Sequence, residues 1–190
     1  MRKVINVILL FHAWLFSNAQ NTNSFVDVRD NKTYKVVTIG SQIWFAENLA
    51  FEIKKGSWVY EKDTSNLRIH GRLYNWNTAC EVCPTGWRLP SIEDYKKLLH
   101  NVGQPDSTKL FDDLVVGGKS GFDINFSGWY AGRRYGQINE HADFWTSTSY
   151  QPFKGARKTG IRLSLYKRDE DIYWDPDFSD YGFSVRCIKE

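Results

Sequence analysis

The chain predicts an α+β fold, on three observations. β-Forming residues bracket a turn near its start, one helix carries complete start and stop signals, and short alternating segments separated by Gly, Asp and Ser dominate its second half. Helices set between a β N-terminus and a β C-terminus argue against a repeating βαβ plan. No internal repeat accompanies them.

Residues 1–19 read as a secretory signal: a basic start at Arg2 and Lys3, an apolar stretch from Val4 to Phe16, and a small-residue exit at Ser17-Asn18-Ala19. That stretch is shorter than the ~20 residues a spanning helix needs, and no later segment is apolar enough to span. No cysteine at the exit suggests a lipid anchor. Residues 20–26 read as a polar, flexible leader, and residues 27–190 as one domain with its own core.

Tyr34-Lys35-Val36-Val37-Thr38-Ile39, the turn Gly40-Ser41-Gln42 and Ile43-Trp44-Phe45 predict a hairpin. Lys54 to Ile69 is polar and weakly periodic, a surface excursion whose Trp58 and Tyr60 can pack back on the body. Gly71 to Cys80 reads as a short helix burying Tyr74 or Trp76 with Ala79 and Cys80. After Pro90, Ser91 caps a helix and Asp94 completes a capping box. Ile92, Tyr95, Leu98 and Leu99 share its inner face, acids precede bases along it, and Gly103 ends it. Phe144-Trp145-Thr146, Ile161 to Tyr166 and Phe183 to Cys187 predict strands, the last two half-buried.

Without Arg2 and Lys3 the chain has 23 basic and 22 acidic residues, a net charge of +1. It lacks the basic field of a nucleic-acid binder. Aromatic residues make up 16% of the chain while Met occurs once, which favours rigid, shape-specific cores and contact surfaces.

The order Trp44-Phe45-Ala46-Glu47-Asn48-Leu49, Gly71-Arg72-Leu73-Tyr74-Asn75-Trp76, Cys83 to Pro90, Phe144-Trp145-Thr146-Ser147-Thr148 and Gly182 to Cys187 resembles the Fibrobacter succinogenes major paralogous domain family over roughly Asp27 to Glu190. The resemblance implies a secreted or surface-displayed bacterial domain. It also implies a C-type-lectin-like fold, related to that of formylglycine-generating enzymes: two helices packed on twisted antiparallel sheets with a long irregular loop region. It implies no settled activity. This chain departs from the family's usual glycine-rich run by carrying Trp129, Tyr130, Arg133 and Arg134 between Ile124 and Tyr135, and by the additional Cys80.

Three cysteines allow three single bonds, Cys80 to Cys83, Cys80 to Cys187 and Cys83 to Cys187. Chain entropy favours the last, because closing a loop of about 100 residues stabilises by about 4.7 kcal/mol. Cys80-Glu81-Val82-Cys83 has redox-motif spacing but neither a βαβ context nor a second pair for zinc.

Calcium is the cofactor to weigh, since lectins of the implied fold often hold sugar through that ion; otherwise no cofactor is expected. Gln104-Pro105-Asp106 matches one such tripeptide but reads as a turn after the helix. Asp175, Asp177 and Asp180 could offer oxygens to a hard cation, although Pro176 restricts the segment and a solvated acidic turn is the plainer reading. Glu140 and His141 near Asp143 form no recognisable catalytic pattern. Gly118-Lys119-Ser120 lacks the earlier glycine of a phosphate loop, where Asp113 stands.

The candidate ligand-binding residues are therefore Trp129, Tyr130, Arg133, Arg134 and Tyr135, backed by Phe144, Trp145 and Tyr150, together with Tyr173 and Trp174. Flat rings with flanking donors stack on sugar faces or anchor protein contacts; Trp145, flanked by β-formers, reads as core. The expected protein is a monomeric extracellular recognition module for a glycan or a surface protein. Two alternatives stand beside it: a secreted enzyme with Cys80 as its reactive group, and a structural domain of a surface assembly without a ligand.

Overall fold

The computed structural model describes residues 23–103, 108–168 and 171–190. The proposed signal sequence and the Gln104-Pro105-Asp106 turn lie outside them. The fold is dominated by sheets. Strands β1 (Asn23–Asp27), β2 (Lys32–Ile39), β3 (Gln42–Phe45), β6 (Trp87–Arg88) and β12 (Ile188–Lys189) form one sheet in the order β1-β2-β3-β12-β6. Strands β7 (Ser127–Ala131), β8 (Arg134–Ile138), β9 (His141–Tyr150), β10 (Thr159–Tyr166) and β11 (Ile172–Asp177) form a second, in the order β11-β10-β9-β7-β8. All of its pairings are antiparallel except that of β7 with β9. A small ribbon pairs β4 (Ser57–Trp58) with β5 (Leu73–Tyr74).

The predicted hairpin forms, and its turn is tighter than the sequence suggested: Gln42 already pairs with Ile39. Gly40, first of the two turn residues, has φ +59°, the left-handed value a glycine adopts freely. Trp44 and Phe45 are both fully buried because successive strand residues face opposite sides and this sheet is covered on both. Trp44 joins a core with Val37, Tyr95, Leu98 and Phe144, while Phe45 joins another with Tyr34, Trp87, Trp145 and Val185. Phe144 and Trp145 on β9 split between the same two cores.

Helix α3 (Ile92–Val102) follows its sequence signals. Ser91 Oγ accepts from the Asp94 amide, Asp94 accepts from the Ser91 amide, and Tyr95, Leu98 and Leu99 are buried. Burial alone would raise the Asp94 carboxyl, but hydrogen bonds from Arg88 and Ser91 outweigh it and hold the pKa at about 2. Its N-terminus docks on an irregular stretch of β9, where Thr148 Oγ1 accepts from the Ile92 amide at 3.1 Å and Pro90 O accepts from the Ser147 amide at 2.8 Å.

The Cys83–Cys187 disulfide forms across 104 residues, and Cys80 is free and exposed. It ties the loop before β6 to a segment that differs from its predicted form. Residues 183–187 are not a half-buried alternating strand; all five are buried, and isolated bridges join Phe183 to Tyr74 and Ser184 to Phe144. Arg186 is 0% exposed. Its guanidinium donates to Asn48 Oδ1 at 2.6 Å, to Asp123 O at 2.7 Å and to the Phe122 and Phe45 carbonyls, and it lies over the Phe122 ring. Oriented carbonyls take the place of a carboxylate partner; desolvation still lowers its pKa to about 10.

Five further features differ from expectation. Residues 23–26, read as part of the leader, form most of β1, because Phe25 packs on Phe45 and Trp87 at 5.6 and 5.2 Å. The stretch from Lys54 to Ile69 is more ordered than a loop, with β4, 3-10 turns at Tyr60–Lys62 and Thr64–Asn66, and the four-residue α1 (Leu67–His70). The predicted helix from Gly71 to Cys80 is β5 followed by the four-residue α2 (Trp76–Ala79), capped by Asn75. Helix α4 (Thr108–Leu114), unforeseen, buries Leu110, Phe111 and Leu114 in the first core. The long irregular loop region is largely replaced by the second sheet: residues 127–177 supply all five of its strands.

Candidate functional site

Register in the second sheet gives each of its faces a distinct chemistry. Arg162 lies opposite Trp145 and Asp175, Ser164 opposite Asp143 and Tyr173, and Tyr166 opposite His141. Directly paired residues share a face, so these side chains project to one side while Ala142, Phe144, Leu163 and Leu165 enter the first core on the other. Part of the polar side is roofed. Trp145 Nε1 donates to Tyr74 O at 2.7 Å and its ring meets Phe183 at 4.6 Å, and a Cβ on Gly160 would meet the Trp76 indole at 2.2 Å.

What stays open is a cleft of about 320 Å³ between this face and the β7–β8 hairpin. Trp129, Tyr166 and Tyr181 bring rings to it, and Gln137, His141, Asp143, Arg162 and Asp177 bring polar groups. Trp129 lies across Gly136, where an added Cβ would meet its ring at 2.4 Å, and its Nε1 donates to Gln137 Oε1 at 2.8 Å. The indole is thus held from below and at its edge.

Arg162 organises the floor. Its Nη1 donates to Asp143 Oδ1 at 2.7 Å and its Nε to Asp177 Oδ2 at 2.9 Å, with Asp175 at 3.8 Å from Nη2. Ser164 Oγ donates to the same Asp143 oxygen at 2.5 Å. Asp143 is 1% exposed. Its burial pushes the carboxyl up to about 6, in spite of the Arg162 charge and the Ser164 hydroxyl; Asp177 and Asp175 add to the rise. Three carboxylates therefore surround one guanidinium.

The seven expected ligand residues do not form one patch. Trp129 lines the cleft, and Tyr173 borders it through a ring contact with Tyr166 at 5.2 Å. Tyr130 and Tyr135 pair on the opposite face of the hairpin, where Trp58 stacks on Tyr130 at 4.3 Å and Tyr60 meets Tyr135 at 5.3 Å. That ring cluster fastens the hairpin to the body. Arg133 occupies the hairpin turn at φ +69°, Arg134 is exposed on β8, and Trp174 turns inward to meet Tyr95 at 6.2 Å.

The three candidate calcium ligands are likewise separated in role. Asp175 and Asp177 lie on β11 and face Arg162, while Asp180 is exposed in the turn that follows. Among the described residues no group of three or more His, Cys, Asp or Glu side chains is placed to hold a metal ion. At Cys80, desolvation and then the Glu81 charge push the thiol above its ordinary pKa, the opposite of what activates a nucleophile.

The model of the Fibrobacter succinogenes major domain matches residues 37–189. The chain belongs to this family. The matched span runs from within β2 to the end of β12 and includes the whole first core, most of the second, the disulfide and the cleft. No curated protein and no solved structure matches the chain. Within this Fibrobacter succinogenes major domain, Trp44, Asn48, Tyr74, Trp145 and Arg186 of the shared segments are all buried. They build the scaffold. Most of the cleft comes from residues between and beyond those segments: Trp129, Gln137, Asp143, Arg162, Tyr166 and Asp177. Trp129 and Asp177 are sequence candidates already; for the others the available signal is alternation, which puts Arg162 on the polar side of its strand.

Proposed function

We propose that the chain is an extracellular recognition module of C-type-lectin-like architecture that binds a neutral glycan in the cleft beside Trp129. The observation that carries this reading is the pairing of aromatic walls with a hydrogen-bonding floor. Trp129, Tyr166 and Tyr181 offer flat apolar faces to sugar C–H groups, and the Arg162, Asp143 and Asp177 network offers donors and acceptors to hydroxyls. Surplus carboxylates around Arg162 disfavour an acidic ligand. Export is supported by the 104-residue disulfide and by the signal-like residues 1–19. No helix among the described residues is long and apolar enough to cross a membrane.

A glycan array probed with the protein, with Trp129→Ala and with Trp129→Phe tests the reading, each in calcium and in chelator. Neutral glycans are expected to bind the native protein regardless of calcium. The alanine variant should lose about tenfold or more in affinity and the phenylalanine variant less. Capture of acidic glycans only, or of none, would overturn the proposal.

A further inference from the structure

We infer that one end of the second sheet docks a second copy of the chain, in a two-fold dimer that replaces the monomer expected from the sequence. A depression of about 420 Å³ lies there, between the loop that joins β9 to β10, residues 151–158, and the turn that follows β11. Tyr150, Pro152, Pro176 and Phe178 give it apolar walls, with Arg157 on the loop side and Asp180 on the turn side.

Exposed rings gather at this groove. Phe153, beside Pro152 on the same loop, is 71% exposed, Phe178 67% and Tyr150 41%. Single apolar side chains in water need no explanation, but three rings around one groove mark a contact surface.

Charge decides what covers it. The loop carries Lys154, Arg157 and Lys158 and no acid, whereas residues 175–180 carry Asp175, Asp177 and Asp180 and no base. Lys154, Arg157, Lys158 and Asp180 are all exposed, and among the described residues none of the four makes an ion pair. Asp175 and Asp177 share the one Arg162 guanidinium, so their wall stays negative.

An acidic partner would gain from the loop and be repelled by the turn, and a basic partner would meet the reverse. The groove calls for a partner that carries both signs on either side of apolar rings. A second copy turned by 180° has that surface by construction. The basic loop of each protomer then lies against the acidic turn of the other, twice over, with Phe153 and Phe178 packed between. A contact of this kind closes on itself, so assembly stops at two chains.

Sedimentation equilibrium tests the dimer. The contact is small, so the mass of the native protein is expected to rise from one chain to two over about 1–200 µM. Phe153→Ser with Phe178→Ser, two exposed positions outside both cores, should hold the mass at one chain without lowering the melting temperature. The loop variant Lys154→Glu, Arg157→Glu, Lys158→Glu and the turn variant Asp180→Lys should each weaken the dimer by about tenfold or more. Mixing those two variants should restore it, because each then meets the opposite charge on the other. A mass of one chain at every concentration, a dimer that survives the phenylalanine pair, or charge variants that do not recover on mixing would each overturn the proposal.

Discussion

Arg186 Nε donates to Asn48 Oδ1 at 2.6 Å, joining two residues 138 positions apart in the fully buried centre of the molecule. The same Asn48 donates through Nδ2 to His70 O at 3.0 Å and to Ser127 Oγ at 2.8 Å, with Ser184 Oγ at 3.2 Å. One amide thus ties its own segment and those of His70 and Ser127 to the last buried stretch of the chain, which supplies both Ser184 and Arg186. Buried polar networks of this kind are costly to break because each abandoned partner is left without that bond and away from water.

Arg186→Met keeps the length of the side chain and removes its donors. Asn48 Oδ1 and the Phe122 and Asp123 carbonyls would be left unsatisfied, at about 1–3 kcal/mol each. Urea unfolding is expected to show a loss of at least about 3 kcal/mol. A loss under about 1 kcal/mol would mean that the carbonyls find other partners.

Asp143 makes stability depend on pH in an unusual direction for a carboxylate. Its folded pKa of about 6 lies above the ordinary 3.8, so the folded chain holds that proton more tightly than the unfolded chain. The contribution is complete below about pH 4 and is lost as pH rises to about 6. Relative to Asp143→Asn, the native protein should weaken over that window by on the order of 1–3 kcal/mol and then level off. Thermal melts across the window check the sign.

Gln137 and Gly136 hold Trp129 without taking part in either core. Gln137→Ala removes the acceptor of the indole N–H, and Gly136→Ala places a methyl where the ring lies. Both should weaken glycan capture, Gly136→Ala the more, while Gln137→Ala changes the melting temperature little. Equal binding by all three proteins would remove Trp129 from the site.

Serine at Cys83 should cost about 4–5 kcal/mol by release of the long loop. The native fold should show one free, alkylatable thiol, that of Cys80. Denaturant melts and mass spectrometry after alkylation measure the two.

The frame of the fold was legible wherever signals were local. Ser91 and Asp94 announced α3, Gly40 announced the hairpin, and loop length favoured the disulfide actually formed. The cleft was not, because it is assembled by register. Asp143 and Arg162 stand 19 residues apart in sequence and meet only when β9 pairs with β10. Trp129 and Tyr130 were read as one patch although neighbours on a strand must face opposite ways. Arg186, a charge in an alternating segment, reads as solvent-facing until the carbonyls that hold it are known. Phe25 alone gave too little pattern to mark β1.

Strand β12 enters the first sheet between β3 and β6 instead of at a rim. Its reach extends beyond its two residues, since Cys187 O accepts from the Phe45 amide and Val185 O from the Leu49 amide. Proteolytic trimming from Val185 onward would therefore do more than shorten the chain. It would split that sheet, bare the backbone of β3 and β6 together, and add two sticky templates for self-association at what is now the interior of the sheet.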